Sequence, residues 1–113
     1  MPMIDPKTLA SVAANTDTDL HTVTAGKRLS VLGLTITNYS GVDAVVKVML
    51  TDAANVVKAY WFSNTVKAGS AAPQGDTVEV CSKSCLKTAP AGYKVRVNSS
   101  QANVSFQIDG SED

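Results

Sequence analysis

The chain is poor in the residues that most enzymes rely on. It has one histidine and two cysteines in 113 residues, and aromatic residues make up only 5%. The single histidine, His21, leaves acid–base catalysis without a second imidazole. Beside Thr22, in a first or edge strand, it reads as a surface or partner-packed residue. The acids are scattered through turns and termini, and no pair of them is set in an apolar run as glycosidase carboxylates often are. No Gly-rich phosphate loop, HExxH or GxSxG motif occurs. The expectation is a protein that is not an enzyme and uses no cofactor.

Charge is equally sparse. Charged residues make up 18%, against roughly 25% in ordinary soluble proteins. Ten Lys and Arg balance ten Asp and Glu, so no long-range field draws in nucleic acid or an anionic membrane. A mild basic concentration at Lys83, Lys87, Lys94 and Arg96 reads as a solvated face. The aromatic content is too low for the stacking surface of a dedicated lectin or single-strand binder. No apolar run approaches the ~20 residues needed to span a bilayer. The opening MPMIDPKTLASVAANTDTD has neither a basic n-region nor an apolar h-region, so synthesis in a cytosol with thiols initially free is expected. The Asn-x-Ser triplets at Asn38, Asn98 and Asn103 are then not expected to carry glycans.

Two thiols cannot close a tetrahedral zinc site, and only His21 could be added to them. The spacing of Cys81 and Cys85 in VEVCSKSCLK is also wrong for a redox CxxC motif. If residues 82–84 form a three-residue hairpin loop, the two cysteines face each other and are candidates for an intrachain disulfide. Free thiols and a link between subunits are the alternatives. A loop this small adds modest stability at most.

What the sequence does have is Val, Ala, Thr and Ser in period-two patterns. Residues 28–38 (RLSVLGLTITN) set Leu32, Leu34 and Ile36 on one face. Residues 43–51 alternate Ala44, Val46, Val48 and Leu50 against Val45, Lys47, Met49 and Thr51. Residues 56–62 and 77–81 are further strand candidates. Residues 92–98 set Tyr93, Val95 and Val97 inward, and residues 102–109 do the same with Val104, Phe106 and Ile108. These runs are strand-length and separated by turn residues, and no helical period follows Leu20. The short polar turns at 38–41, 52–55 and 98–101 are of hairpin size, and no crossover is long enough for a parallel sheet. The fold class is therefore all-β: one antiparallel β-sandwich, jelly-roll or Ig-like, of about six to eight short strands. It occupies residues 19–113. Residues 1–18 read as an N-terminal arm, with a short helix started by Asp5 as N-cap and Pro6 at the first helical position.

One phrase recurs at uneven spacing: TVTAGK at 22–27, TVKAGS at 65–70 and TAPAGY at 88–93. Each copy ends one extended segment and leads to another. Gly26, Gly69 and Gly92 can take positive φ without a Cβ penalty, so all three read as structural turns at corners of the sandwich. The adjacent aromatics Tyr60, Trp61 and Phe62 alternate faces on a strand, which turns at least one ring outward and makes them a candidate interface.

The stretches LHTVTAGKRLSVLGLTITNYSG, NTVKAGSAAPQGDTVEV and CLKTAPAGYKVRVNSSQANVSFQIDG resemble segments of small β-sandwich virion structural proteins of tailed bacteriophages. There, a Thr-Val-Pro-Ala-Gly-Lys-like turn leads into an apolar strand that ends in Asn and a Ser/Gly turn. The resemblance covers roughly residues 20–110. Thr24 and Lys67 stand where proline is common, Tyr93 stands where an acid is common, and the cysteine pair is outside the pattern. The resemblance implies a virion component made in the host cytoplasm. Its leading form is a capsid decoration or cement protein, oligomeric on the shell, with the major capsid protein or other virion proteins as partners. A neck, tail or fibre-attachment protein, or a carbohydrate- or receptor-binding module using residues 60–62, is the alternative. In the decoration reading the arm lies across neighbouring subunits, and binding only the expanded shell stabilises that state.

Overall fold

The computed structural model describes residues 3–4, 7–9, 11–68, 76–81 and 87–113. Nine strands are present among them: β1 (Lys7–Leu9), β2 (Thr18–Thr22), β3 (Leu29–Asn38), β4 (Ala44–Thr51), β5 (Val57–Val66), β6 (Asp76–Cys81), β7 (Thr88–Ala89), β8 (Lys94–Ser99) and β9 (Val104–Glu112). They form two antiparallel sheets, one ordered β1-β9-β3-β6 with β7 also on β3, the other β2-β8-β4-β5. The molecule is a β-sandwich, as the period-two patterning predicts.

The core lies between the sheets. Leu29, Val31, Leu34 and Ile36 of β3 and Val104, Phe106 and Ile108 of β9 supply one side. Leu20, Val46, Val48, Val95 and Val97 supply the other. Each such side chain, fully buried, stabilises the fold by about 1.5–3 kcal/mol.

Alternation is departed from in two strands, in β3 because of a β-bulge. The β3–β9 register shifts between Val31 and Gly33, which makes Leu32 the extra residue and leaves it 37% exposed. Leu32 therefore does not share the core face with Leu34 and Ile36; Val31 and Leu29 do. A bulge reverses the facing of everything beyond it, and period counting cannot locate one. In β4, Met49 and Thr51 are buried although they alternate with the core residues. In register, Met49 lies opposite the long side chains of Tyr60 and Arg96.

The connections also differ from the hairpins expected. Only the turn at 52–55 joins paired neighbours, β4 and β5. The turns at 38–41 and 98–101 carry the chain from one sheet to the other. At the first, buried Asn38 donates from Nδ2 to the carbonyls of Val42 (2.8 Å) and Val66 (2.9 Å), while its Oδ1 accepts from Ser40 N and Oγ. One amide thus satisfies a sheet-to-sheet corner as a hairpin ladder would satisfy a hairpin.

The N-terminal segment is not a free arm with a helical turn. Lys7–Leu9 is a strand paired with β9, Ile4 N donates to Gly110 O at 3.0 Å, and Val12 lies in the core. Local capping signals lose here because the edge of β9 offers unpaired backbone groups that a strand satisfies and a helix does not. Asp5 and Pro6 lie outside the described residues.

Candidate functional site

Two copies of Thr-x-x-Ala-Gly meet at one end of the sandwich. Gly26 has φ +77° and Gly92 φ +80°, and a Cβ at either would meet nothing within 4 Å. Their glycine is required by backbone conformation, not by space. The copies hold each other: Gly92 N donates to Val23 O (3.1 Å) and Val23 N to Tyr93 O (2.9 Å). Each also closes its own turn, through Lys27 N to Thr24 O and Tyr93 N to Pro90 O. Of the remaining copy, Thr65 and Val66 end β5, while Gly69 lies outside the described residues.

Gly26, Lys27 and Arg28 from one turn and Pro90 and Ala91 from the other surround an open depression of about 680 Å³. Asp113 borders it and exchanges backbone hydrogen bonds with Arg28 at 2.9 and 3.1 Å. No ion pair engages the Lys27 or Arg28 side chain among the described residues.

Below this corner is a buried polar cluster. His21, 4% exposed, faces inward from β2, and neither ring nitrogen has a hydrogen-bond partner. Its Nε2 is 3.5 Å from Glu112 Oε2. The same carboxylate accepts Thr24 N at Oε2 (2.7 Å) and Thr24 Oγ1 at Oε1 (2.8 Å). Burial holds the His21 pKa below its ordinary value, aided by the Lys7 cation and opposed by Glu112. Burial pushes the Glu112 carboxyl up, but the Thr24 hydrogen bonds and His21 together bring it below the usual carboxylate value. His21 is thus packed inside its own chain. Its partner Glu112 is far off in sequence, and only the sheet topology brings β2 and β9 together.

The aromatic trio lies on β5, at the edge of the second sheet. Val48 pairs with Phe62 and Met49 with Tyr60, so Trp61 is the extra residue of a bulge. Tyr60 is 56% exposed, while Trp61 and Phe62 both pack partly against the core. Val56 and Val57, where β5 starts, are exposed as well. Among the described residues β5 pairs only with β4, and its outer edge carries two protections: Lys58 pairs with Asp52 at 3.7 Å, and Asn64 Oδ1 accepts the Thr65 N–H at 2.8 Å.

Cys81 ends β6 opposite Leu34. Cys85 and the loop before it lie outside the described residues, and so does the candidate disulfide. Lys83 lies there too. Lys94 and Arg96 are half-buried rather than fully solvated, and Asp19 and Asp17 neutralise them: Arg96 Nε–Asp19 Oδ1 is 2.7 Å, Lys94–Asp19 3.8 Å and Arg96–Asp17 3.9 Å. Sequence reading missed these acids, although Asp17 and Asp19 repeat at the spacing of Lys94 and Arg96, as facing strands with complementary charges would.

Among the described residues no group of three or more His, Cys, Asp or Glu could hold a metal ion, and no helix is long and apolar enough to cross a membrane. No family model, curated protein or solved structure matches the chain.

Proposed function

We propose that the chain is a structural protein of a tailed-bacteriophage particle, acting as a capsid decoration protein that binds the assembled shell through subunit contacts. The supporting observation is that the stretches resembling phage virion proteins also form the working framework of the sandwich. Residues 20–41 supply the Gly26 corner, β3 and the Asn38 corner, while residues 85–110 supply the Gly92 corner, β8 and much of β9. A neutral sandwich of this kind offers a partner shape and apolar contact: Tyr60, Val56 and Val57 stand exposed beside the β5 edge. Binding the expanded shell in preference to its precursor would stabilise the expanded state by mass action.

The test is the copy number of this chain per particle, by quantitative peptide mass spectrometry against the major capsid protein. Hundreds of copies are expected for a protein on the shell. A few tens or fewer would move it to the neck, tail or fibres, and absence from particles would overturn the virion reading.

A further inference from the structure

His21 is an anomaly that neither the fold nor the shell-binding reading uses. Buried polar atoms are nearly always hydrogen-bonded, yet both nitrogens of this 4%-exposed ring are unpartnered. A satisfied core histidine would donate to a carbonyl and accept from an N–H. Here Glu112 Oε2 stands 3.5 Å from Nε2, beyond a good hydrogen bond. That oxygen is already engaged by Thr24 N at 2.7 Å.

We propose that His21, Glu112 and Thr24 form a proton-operated latch on the corner where the two Thr-x-x-Ala-Gly turns meet. It is closed when the imidazole is neutral and released when the imidazole takes a proton from solvent. With His21 neutral, the carboxylate fastens Thr24 through both its N–H and its hydroxyl. An imidazolium makes a charge-assisted bond to a carboxylate at about 2.7–2.9 Å. Closing the 3.5 Å gap therefore draws the two groups together by roughly 0.7 Å. His21 is held on β2 by its pairing with Val95 of β8, whereas Glu112 is the last residue of β9 and carries its carboxylate on a flexible side chain, so the carboxylate gives way, and its bond to Thr24 N lengthens. Thr24 lies outside any strand and holds the 24–27 turn through its carbonyl. Loosening it frees the wall of the depression that carries Lys27 and Arg28.

The charged groups acting on the ring are Glu112 from β9 and Lys7 from β1. Lys94 and Arg96 of β8 are engaged elsewhere, by Asp19, Asp17 and Asn55. Lys7 opposes protonation, so the strand at the sheet edge sets how acidic the medium must be before the latch opens.

NMR on the full chain from pH 8 to 4.5 tests this by following the His21 ring and the Thr24 amide together. Thr24 hydrogen exchange, corrected for its intrinsic pH dependence, is expected to speed up at least tenfold, with the same midpoint as His21. In His21→Gln the Thr24 protection should stay flat across that range. Lys7→Gln, at an exposed position, should move both midpoints upward together, and it serves if His21→Gln fails to fold. The proposal is overturned if His21 titrates while Thr24 protection holds. It is equally overturned if Thr24 loosens only at the Glu112 midpoint, or if His21 takes no proton until the whole fold is lost.

Discussion

At the scale of single residues, the fold rests on a few positions whose chemistry has no substitute. Gly110 is one. A Cβ there would clash with the backbone carbonyl of Ser30, which is fixed in the β3–β9 ladder and has no side-chain freedom to yield. Gly110→Ala should lower unfolding free energy by about 1–3 kcal/mol, the usual range for overpacking, measured by urea titration. The atoms nearest a Cβ at Gly33 would be those of the Asp109 side chain, whose carboxylate can swing away. Gly33→Ala should therefore be the milder variant, and the reverse order would show that the close strand approach at Gly110 is not what demands glycine. The polar cluster makes a second statement at this scale. The folded-state pKa of His21 lies below its value of 6.5, so the unfolded chain takes up the proton first. Stability from this group is complete above about pH 6.5 and declines as pH falls toward the folded pKa. Glu112, also lowered, from 4.5, adds a loss of the same sign at more acid pH. Urea midpoints should drop between pH 7 and 5, and His21→Gln should flatten that stretch of the profile. A midpoint that rises on acidification would mean the imidazolium–carboxylate pair outweighs burial.

At the scale of elements, the strands were legible and their relations were not. Residues 28–38, 92–98 and 102–109 announce β3, β8 and β9 because a half-buried strand must alternate apolar and polar side chains. The bulges at Leu32 and Trp61 escape that reading because an inserted residue costs nothing in composition and shows only where the partner strand lies. The corners at Asn38 and Ser99 look like hairpin turns for a similar reason, since a polar turn has the same residues whether the next strand pairs with the last or crosses to the other sheet. Nor does any local signal join His21 to Glu112. The β5 edge, by contrast, can be tested as an element. Asn64 covers the outward Thr65 N–H and Lys58 places charge on the strand, the two kinds of device that discourage edge-to-edge pairing. Replacing both, Lys58→Val with Asn64→Val, should produce concentration-dependent association beyond the wild-type size in sedimentation velocity. An unchanged size distribution would show that the Trp61 bulge alone keeps the edge closed to other strands.

For the whole molecule, the decisive question is where the sandwich begins. The composition of residues 1–18 suggests an appendage, because it lacks both a helical stripe and a long alternating run. Packing overrides composition here. Lys7–Leu9 completes the edge of β9, Ile4 and Leu9 pack against the core, and Val12 is 4% exposed within it. Ser11 Oγ accepts from Asn103 N at 2.9 Å, and Asn15 N donates to Ser99 O at 2.7 Å, so the segment is also tied to the β8–β9 corner. An arm that served only to reach neighbouring subunits could be removed without affecting the fold. A chain lacking residues 1–12 should instead lose at least the burial of Val12, about 1.5 kcal/mol or more, together with the β1 ladder. Its thermal midpoint should fall by several degrees, since about 1 kcal/mol shifts a domain of this size by roughly 4–8 °C. If the midpoint holds while binding to particles is lost, the segment acts outward after all and its pairing with β9 is dispensable. If both fall together, shell binding and folding draw on the same residues, and contacts to neighbouring subunits must be sought on the faces that remain exposed, with Tyr60 and the β5 edge first.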